Sequence, residues 1–283
     1  MNRPLNSGYR ESLKANLKSV LGSSLARFNR VRTIGNYRRP SSESGRLDRL
    51  ILHYLRKRCS LEERNGFLER LHAAFWQGDS SRAFYENCDK RFDTLFIARQ
   101  RDDFLRLKEI CEAQPRFKRL VEIGTGSGRL LEYLYSNIKG FKSAIGLDLN
   151  EDVIQTNRRR NDSPAIEYVA GDAVKWVTNN VRPGTAYISN GGVLEYFSRA
   201  TLNQMLTTLK RAPLLFYASE PVASDHHEDD NRSHPFGDEL SFSHNYRDIF
   251  LSNGYRIHHQ SSTKFVAACS TEYRMVTTIA SWP

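Results

Sequence analysis

The chain has 283 residues, of which 39% are hydrophobic, 11% aromatic and 26% charged. This is the composition of a folded globular protein, and it excludes an intrinsically disordered chain. No uncharged apolar stretch approaches the roughly 20 residues needed to cross a bilayer, so no membrane span is expected.

The net charge of +10 is concentrated in the first part of the chain. Residues 1–115 contain 23 Lys and Arg against 14 Asp and Glu, whereas residues 116–283 contain 19 against 18. The simplest explanation of this excess of Lys and Arg is that they lie on solvated helix faces. The more specific alternative is that they attract phosphate, nucleic acid or anionic lipid. Nucleic acid is therefore a possible partner but not the favoured one, and nothing in the sequence indicates an oligomeric state.

The four cysteines of the chain are widely spaced. No pair has the Cys-x-x-Cys spacing, which disfavours a zinc ribbon, and a disulfide scaffold is disfavoured as well. Reduced thiols are the simplest interpretation, so a cytoplasmic protein is expected. The cysteines are Cys59, Cys88, Cys111 and Cys269.

Residues 1–45 are expected to form a basic amphipathic segment. Apolar side chains recur every three or four positions from Tyr9 to Phe28, which is helical spacing, and Glu11 is the only acid before Glu43. A mitochondrial transit peptide has the same Arg-rich, acid-poor character and remains the minority alternative. Residues 39–45 are typical of a linker. Residues 46–113 have helical periodicity and predict an all-helical cap.

After Pro115, short β-rich runs alternate with helical ones. This alternation predicts parallel strands joined by crossover helices, and hence a doubly wound, mostly parallel α/β sheet in residues 114–283. The last two runs are joined by a short connection, which favours an antiparallel edge pair. Strands are predicted at 119–123, 143–148, 166–169, 185–189, 214–219, 255–259 and 273–279, with Glu220-Pro221 capping the fifth. Helices are predicted at 127–137, 151–157, 173–180, 200–209 and 245–251.

The strongest motif is Val121-Glu122-Ile123-Gly124-Thr125-Gly126-Ser127-Gly128-Arg129-Leu130-Leu131. An apolar strand runs into three alternating glycines and then into an apolar helix. Glycine allows a tight turn with no Cβ in the way of a ligand, and the start of the helix offers free N–H groups to an anion. A nicotinamide site normally has Gly-x-Gly-x-x-Gly, and Arg129 stands where its third glycine belongs.

Two acids at the ends of the next strands make the motif specific. Asp148 follows Gly128 by twenty residues and ends the second strand, where a carboxylate can accept both hydroxyls of a ribose. Asp172 ends the third strand and is placed to accept a hydrogen bond from an adenine amino group. Either acid alone is weak evidence, but the glycine turn and both acids in this order are together strong.

At these residues the sequence resembles the class I S-adenosylmethionine-dependent methyltransferases, from about Phe117 onwards. The resemblance implies a Rossmann-like fold and S-adenosylmethionine as cofactor. It further implies that the first-strand turn contacts methionine and ribose, that Asp148 with Leu149 holds the ribose, and that Asp172 with Ala173 holds the adenine. The segment after the fourth strand would contact the methionine. The implied cofactor-binding residues are Glu122, Gly124, Thr125, Gly126, Gly128, Asp148, Leu149, Asp172, Ala173, Asn190 and Gly191.

The fourth strand lacks the Asn/Asp-Pro-Pro-Tyr/Phe sequence of enzymes that methylate base or amide nitrogens. We therefore expect a small-molecule acceptor and O-methylation. An RNA or protein methyltransferase that docks through the basic front half, and a non-catalytic protein with the cofactor fold, are the alternatives. A nicotinamide oxidoreductase is opposed by the glycine spacing.

The loop after the fifth strand, residues 220–237, is rich in His and Asp. His226, His227 or His234 is the expected catalytic base for an oxygen nucleophile. A divalent cation bound by Asp225, His227, Asp229 and Asp230, a lid, and a merely solvated loop are the alternatives. No metal site is predicted. Tyr85, Phe92, Phe96 and Arg99 are interpreted as core and surface residues rather than pocket residues, and His72 as structural.

Overall fold

The fold was analysed on a computed structural model. The structure describes residues 16–18, 20–22, 50, 54, 65–77, 85, 92–237, 241–266 and 272–283. Most of the predicted N-terminal segment and linker, and the cysteines Cys59, Cys88 and Cys269, lie outside the described residues. Cys111 is described, and it is a buried free thiol.

A seven-stranded sheet organises the molecule, with the strand order β3-β2-β1-β4-β5-β9-β8. The first five strands are parallel, whereas β9 pairs antiparallel with both β5 and β8. The doubly wound sheet and its antiparallel edge pair are thereby confirmed. The strands are β1 (Arg119–Ile123), β2 (Ser143–Asp148), β3 (Ile166–Ala170), β4 (Thr185–Asn190), β5 (Leu214–Ala223), β6 (His234–Phe236), β7 (Ser241–Ser243), β8 (Arg256–Val266) and β9 (Glu272–Trp282); β6 and β7 form a separate hairpin.

Helices cross between the strands and begin at polar caps. The side chains of Asn150, Asp172, Ser198 and Asn245 each accept a hydrogen bond from a backbone N–H in the first turn of the helix that follows. The helices are α1 (Asn65–Gln77), α2 (Arg101–Glu112), α3 (Arg129–Asn137), α4 (Glu151–Arg160), α5 (Ala173–Asn180), α6 (Arg199–Leu209) and α7 (Tyr246–Ser252). A π-helical turn spans Asp93–Ile97, and a 3-10 turn spans Leu194–Tyr196.

Apolar side chains cover both faces of the sheet, because successive residues of a strand point to opposite sides. On one face Val121 and Phe216 pack with α5, α6 and α7. On the other, Leu120 and Tyr217 pack with α2, α3 and α4. Burial on both faces explains why the central strands are almost continuously hydrophobic. It leaves the carboxyl ends of the parallel strands as the open edge for a ligand.

The structure corrects three boundaries. Strand β5 does not end at Ser219 with a Glu220-Pro221 cap, because it continues to Ala223 in antiparallel register with β9. The helix after the glycine turn begins at Arg129 rather than Ser127, since Gly128 has a left-handed φ of 76°. Strands β8 and β9 are both longer than predicted because they pair with each other as far as Val266 and Glu272.

Candidate active site

A cavity of about 510 Å³ lies at the carboxyl ends of β1, β2, β3 and β4. Its volume falls in the range of about 300–1,000 Å³ that is usual for small-molecule sites. One wall is the glycine turn after β1, and the opposite side is formed by α1 and the segment after β4. Of the predicted cofactor-binding residues, all but Gly128 line this cavity.

The glycine turn has no room for side chains. Gly124 has φ of 72°, and a Cβ on it would lie 2.4 Å from the side chain of Val193. Gly126 lines the cavity, where a Cβ would lie 3.1 Å from the ring of Tyr85. Gly128 packs against the Tyr168 ring instead, and its role is therefore to start α3. The turn is thus shaped by close approach as well as by backbone conformation.

Asp148 organises the turn from the end of β2. Its carboxylate accepts a hydrogen bond from the backbone N–H of Gly126 at 2.9 Å and another from that of Asn150 at 2.9 Å. The hydroxyl of Tyr85 donates to the same carboxylate at 3.3 Å. Burial raises the pKa of Asp148, and these hydrogen bonds oppose that rise. Asn157 fixes the other side of the turn by donating to the Gly126 carbonyl at 2.7 Å.

Glu122 is a buried acid at the base of the cavity. It is 3% exposed, and its carboxylate accepts a hydrogen bond from the Thr125 hydroxyl at 2.6 Å. Burial raises the pKa of Glu122 to about 8, and the nearby charge of Asp148 adds to the rise. The Thr125 N–H donates to the Leu147 carbonyl at 2.8 Å, so the turn is bonded to β2 by its backbone as well.

Asp172 and Ala173 line the cavity beyond β3. Asp172 is exposed, and its side chain accepts a hydrogen bond from the Lys175 N–H at 3.1 Å, which caps α5. This hydrogen bond is to Oδ1 of Asp172, and Oδ2 has no hydrogen-bond partner among the described residues. A carboxylate oxygen at this edge can therefore accept from a ligand.

The segment after β4 forms part of the side opposite the glycine turn, and its residues Asn190 and Gly191 line the cavity. Asn190 Oδ1 is buried and has no hydrogen-bond partner among the described residues. The Gly191 N–H donates to the Ser219 carbonyl at 2.9 Å, which bonds this segment to β5. A buried acceptor without a partner in a cavity is available to a hydrogen-bond donor on a ligand.

Helix α1 lies over the cavity and is bonded to both of its sides. The Asn150 side chain donates to the Trp76 carbonyl at 3.1 Å, and the Ser198 N–H donates to the Glu69 carboxylate at 2.6 Å. From this helix His72 and Trp76 line the cavity. The further lining residues on this side are Gly66, Glu69, Arg70, Ala73, Tyr85, Phe92, Tyr196, Phe197 and Thr201.

The histidines after β5 are not part of this cavity. His226 is 2% exposed, and its ring nitrogens lie 2.7 Å from the Ser243 hydroxyl and 2.8 Å from the Asp230 carbonyl. The ring of His234 lies beside that of His226, with centroids 4.7 Å apart and the planes tilted by 42°. His227 is exposed and lines a separate pocket of about 230 Å³. The three histidines predicted as a base therefore lie outside this cavity, in a loop that hydrogen bonds join to Ser243 of β7.

Metal binding by the same loop is not supported either. Asp230 makes a bidentate ion pair with Arg232, whose side-chain nitrogens lie 2.9 Å from its two oxygens. This pair holds the pKa of Asp230 below its usual range. Within the described ranges, no three His, Cys, Asp or Glu side chains are grouped to hold a metal ion.

The comparisons with known proteins bear on residues 120–212, which match a family model described as a methyltransferase domain. This match spans β1 to the end of α6 and includes every predicted cofactor-binding residue. Residues 120–212 are therefore a methyltransferase domain. No match to the sequence of a curated protein was found.

Solved methyltransferase structures are similar to this chain only distantly. An S-adenosylmethionine-dependent methyltransferase of Leishmania major is 12% identical, with 62% of this chain and 71% of that chain covered and a TM-score of 0.44. The magnesium protoporphyrin IX methyltransferase of Synechocystis is 11% identical, with 75% and 96% covered and a TM-score of 0.45. A methyltransferase of Methanosarcina mazei is 12% identical, with 59% and 92% covered and a TM-score of 0.39. We take no substrate from these matches.

The residues of the cavity fit S-adenosylmethionine. It has a carboxylate, an ammonium, a sulfonium and a ribose but no phosphate. The cavity offers acceptors to such a ligand, in Asp148, Asp172 and Asn190, together with a side-chain-free glycine turn. Among the described residues, no helix of the methyltransferase has the length and apolar character needed to cross a membrane.

Analysis of the sequence missed the contribution of α1 to the methyltransferase site. Glu69 lies three residues before His72 and four before Ala73, Trp76 lies four after His72 and three after Ala73, and all four line the cavity. This spacing places them on one helix face, so the pattern was visible. Polar Glu69 and His72 within an otherwise apolar stripe were the available signal. Tyr85 and Phe92 also line the cavity, whereas exposed Arg99 packs over the Phe265 ring.

Proposed function

We propose that the protein transfers the methyl group of S-adenosylmethionine to a hydroxyl of a small-molecule acceptor that binds beneath α1. The hydrogen bonds from Asn150 to the Trp76 carbonyl and from Ser198 to Glu69 join α1 to the sheet edge over the cavity. A cover of this kind suits a small acceptor better than a polymer. S-adenosylmethionine supplies an activated methyl group, so the protein mainly has to align the acceptor and exclude water.

The cofactor contacts are part of the proposal. Asp148 receives the ribose hydroxyls, Asp172 and Ala173 receive the adenine, and Asn190 Oδ1 accepts from the ammonium group. Glu122, Thr125, Leu149 and the glycines shape the remaining surface. The buried, unpartnered Asn190 oxygen and the cavity-lining positions of Asp148 and Asp172 support this assignment.

In this proposal the general base is His72, and not one of the three loop histidines that the sequence suggested. It is the only histidine among the described residues of the cavity, and its ring lies 4.9 Å from that of Tyr196, which follows the methionine-side segment. The acceptor oxygen gains the methyl group, sulfur keeps the electron pair of the broken C–S bond, and the hydroxyl proton passes to His72. General-base assistance of this type contributes typically about 10²- to 10⁴-fold to the rate.

The acceptor is to be identified by incubating the protein with labelled cofactor and fractionated metabolite and RNA pools. Label in a small molecule supports the proposal, and label in RNA supports docking through the basic front half instead. His72→Asn should then lower kcat about 100-fold below pH 8, with recovery at high pH where the acceptor hydroxyl ionises by itself. S-adenosylhomocysteine affinity should not change. Exposed His227→Asn is the matched control, and an unaltered kcat in His72→Asn rejects the base.

The proposed location is the cytoplasm, where a reduced thiol such as buried Cys111 is stable. Imaging of the tagged full chain tests this, and a mitochondrial signal contradicts it.

A further inference from the structure

The acceptor side of the cavity carries a continuous wall of rings, formed by His72, Trp76, Tyr85 and Tyr196. The centroid of the Trp76 ring lies 5.7 Å from that of Tyr85 and 5.4 Å from that of Tyr196, and His72 lies 4.9 Å from Tyr196. All four residues line the cavity. Each ring is held by at least one ring neighbour, so the wall is in place before an acceptor arrives.

The wall is also fixed to the cofactor side. The Tyr85 hydroxyl donates to Asp148 at 3.3 Å, and the Trp76 carbonyl accepts from Asn150 at 3.1 Å. Trp76 itself is 9% exposed and has the Phe75 ring at 5.2 Å in an edge-on contact. A preorganised surface of ring faces and edges favours planar aromatic partners, since such pairs gain energy beyond the burial of area.

Charge on the same side of the cavity points to an anionic group on the acceptor. The Glu69 carboxylate already accepts from the Ser198 N–H at 2.6 Å. Arg70 is exposed and lines the cavity, and among the described residues no carboxylate lies within ion-pair distance of it. Lys175 also lines the cavity but begins α5 beside Asp172, on the adenine side.

The positions of the base and the cation on α1 set the shape of the acceptor. Arg70 and His72 are two residues apart, so their side chains leave the helix about 160° apart. They therefore flank the cavity-facing arc of α1, with Ala73 and Trp76 between them. A molecule whose hydroxyl and anionic group are at opposite ends of a ring can meet both.

We propose that the acceptor is a planar aromatic molecule with a carboxylate opposite its hydroxyl, stacked on the ring wall of His72, Trp76, Tyr85 and Tyr196 and paired with Arg70. This inference rests on the proposed function and names its substrate class. Arg70 selects the acid, because a guanidinium binds a carboxylate through two parallel N–H groups. The ring wall selects a flat ring over a saturated one.

The test measures binding to the complex of the full chain with S-adenosylhomocysteine by calorimetry, using four matched probes. They are para-hydroxyphenylpropionate, tyramine, para-propylphenol and 3-(4-hydroxycyclohexyl)propionate. All four carry a hydroxyl, and they vary the charge and the flatness of the ring separately. We expect para-hydroxyphenylpropionate to bind at least about tenfold more tightly than each of the others. Arg70→Gln should remove its advantage over para-propylphenol, whereas Arg159→Gln, an exposed arginine of α4, should not.

Preferred binding of tyramine, equal binding of the acid and the neutral phenol, or no binding of any probe overturns the inference. Arg70 is exposed, so loss of folding does not confound its variant. Methyl transfer to the bound phenol is measured separately. Tight binding of the aromatic acid without methylation of it would leave the substrate class intact and count against O-methylation. Methylation of a non-aromatic or cationic acceptor at a hydroxyl would support O-methylation and contradict the proposed substrate class.

Discussion

The carboxylate of Glu220 accepts a hydrogen bond from the hydroxyl of Ser189 at 2.5 Å across neighbouring strands β5 and β4. The second oxygen of Glu220 accepts from the backbone N–H groups of Val193 at 2.8 Å and Leu194 at 3.1 Å. Glu220 is completely buried, and burial raises its pKa to about 7. The carboxyl therefore holds the segment between β4 and the 3-10 turn in place against the cavity.

Glu220→Ala should lower S-adenosylhomocysteine affinity at least about tenfold and destabilise the fold by about 3 kcal/mol. Three donors lose their acceptor at once, two of them in buried hydrogen bonds and one in a partly buried one, and each such loss in a protein interior costs about 1–3 kcal/mol. Glu220→Gln should restore most of both properties, because its amide oxygen can accept from the two N–H groups and its NH₂ can donate to Ser189. Calorimetry and chemical denaturation measure the two effects.

The control for Glu220 is Asp225→Ala, an exposed carboxyl a few residues further along the chain. It should leave affinity and stability unchanged. Equal affinity for the wild type and Glu220→Ala at matched folding would show that the segment keeps its shape without the carboxyl.

Glu122 should make the protein less stable as the pH rises. Burial raises its pKa from the ordinary value of 4.5 to about 8, so the folded state holds a proton that the unfolded state has released. The stabilising effect of that proton is complete below about pH 4.5 and is lost as the pH rises through about 8. The free energy of unfolding should fall by at most about 1.4 kcal/mol per pH unit between these values.

Denaturation of Glu122→Gln over the same pH range checks this, because the variant cannot titrate. Its stability should fall less steeply than that of the wild type, while Glu167→Gln, an exposed carboxyl on β3, should follow the wild type. Parallel curves for Glu122→Gln and the wild type would refute the assignment. Glu220 contributes the same sign of slope below about pH 7 and remains in both proteins.

Asp148→Asn should weaken S-adenosylhomocysteine binding by about 10- to 100-fold. Both carboxylate oxygens accept from backbone N–H groups, those of Gly126 and Asn150. An amide must turn its own NH₂ toward one of these donors, so the glycine turn loses a hydrogen bond worth about 1.5–3 kcal/mol. Calorimetry gives the dissociation constant, with exposed Asp152→Asn on α4 as the control. An unchanged dissociation constant would show that Asp148 does not contribute to cofactor binding.

The fold and the position of the cofactor cavity were predictable because local signals determine them. Strand ends, helix caps and left-handed glycines depend on short stretches of sequence. Asp148 ends β2 as expected, whereas Asp172 lies two residues beyond the end of β3 and caps α5. The predicted β5 was too short because its continuation depends on pairing with the distant strand β9, where Glu220 lies opposite Val276. A buried charge within a strand looks like a strand end until its partners are known.

The docking of α1 over the cavity was not predictable for a related reason, although the spacing of its lining residues shows that they share one helix face. His72 and Trp76 reach the cavity only because the Asn150 and Ser198 donors bond α1 to distant parts of the sheet. The spacing of residues in a helix does not predict which part of the sheet the helix packs against. The histidine-rich loop shows the converse, since its composition suggested chemistry, whereas its hydrogen bonds to Ser243 and the Asp230 carbonyl hold His226 in a structural role.

Alanine at each of the three loop histidines should leave kcat and KM within about twofold of the wild type, because none of them lines the cofactor cavity. His226→Ala should nevertheless lower the free energy of unfolding by about 1–3 kcal/mol, since it removes two hydrogen bonds from a buried ring. Exposed His227→Ala should lower it by less than about 0.5 kcal/mol. Steady-state kinetics at a temperature where His226→Ala is folded separate the two roles. A loss of kcat in folded His226→Ala or in His234→Ala, with unchanged S-adenosylhomocysteine affinity, would show that the general base is a histidine of the loop and not His72.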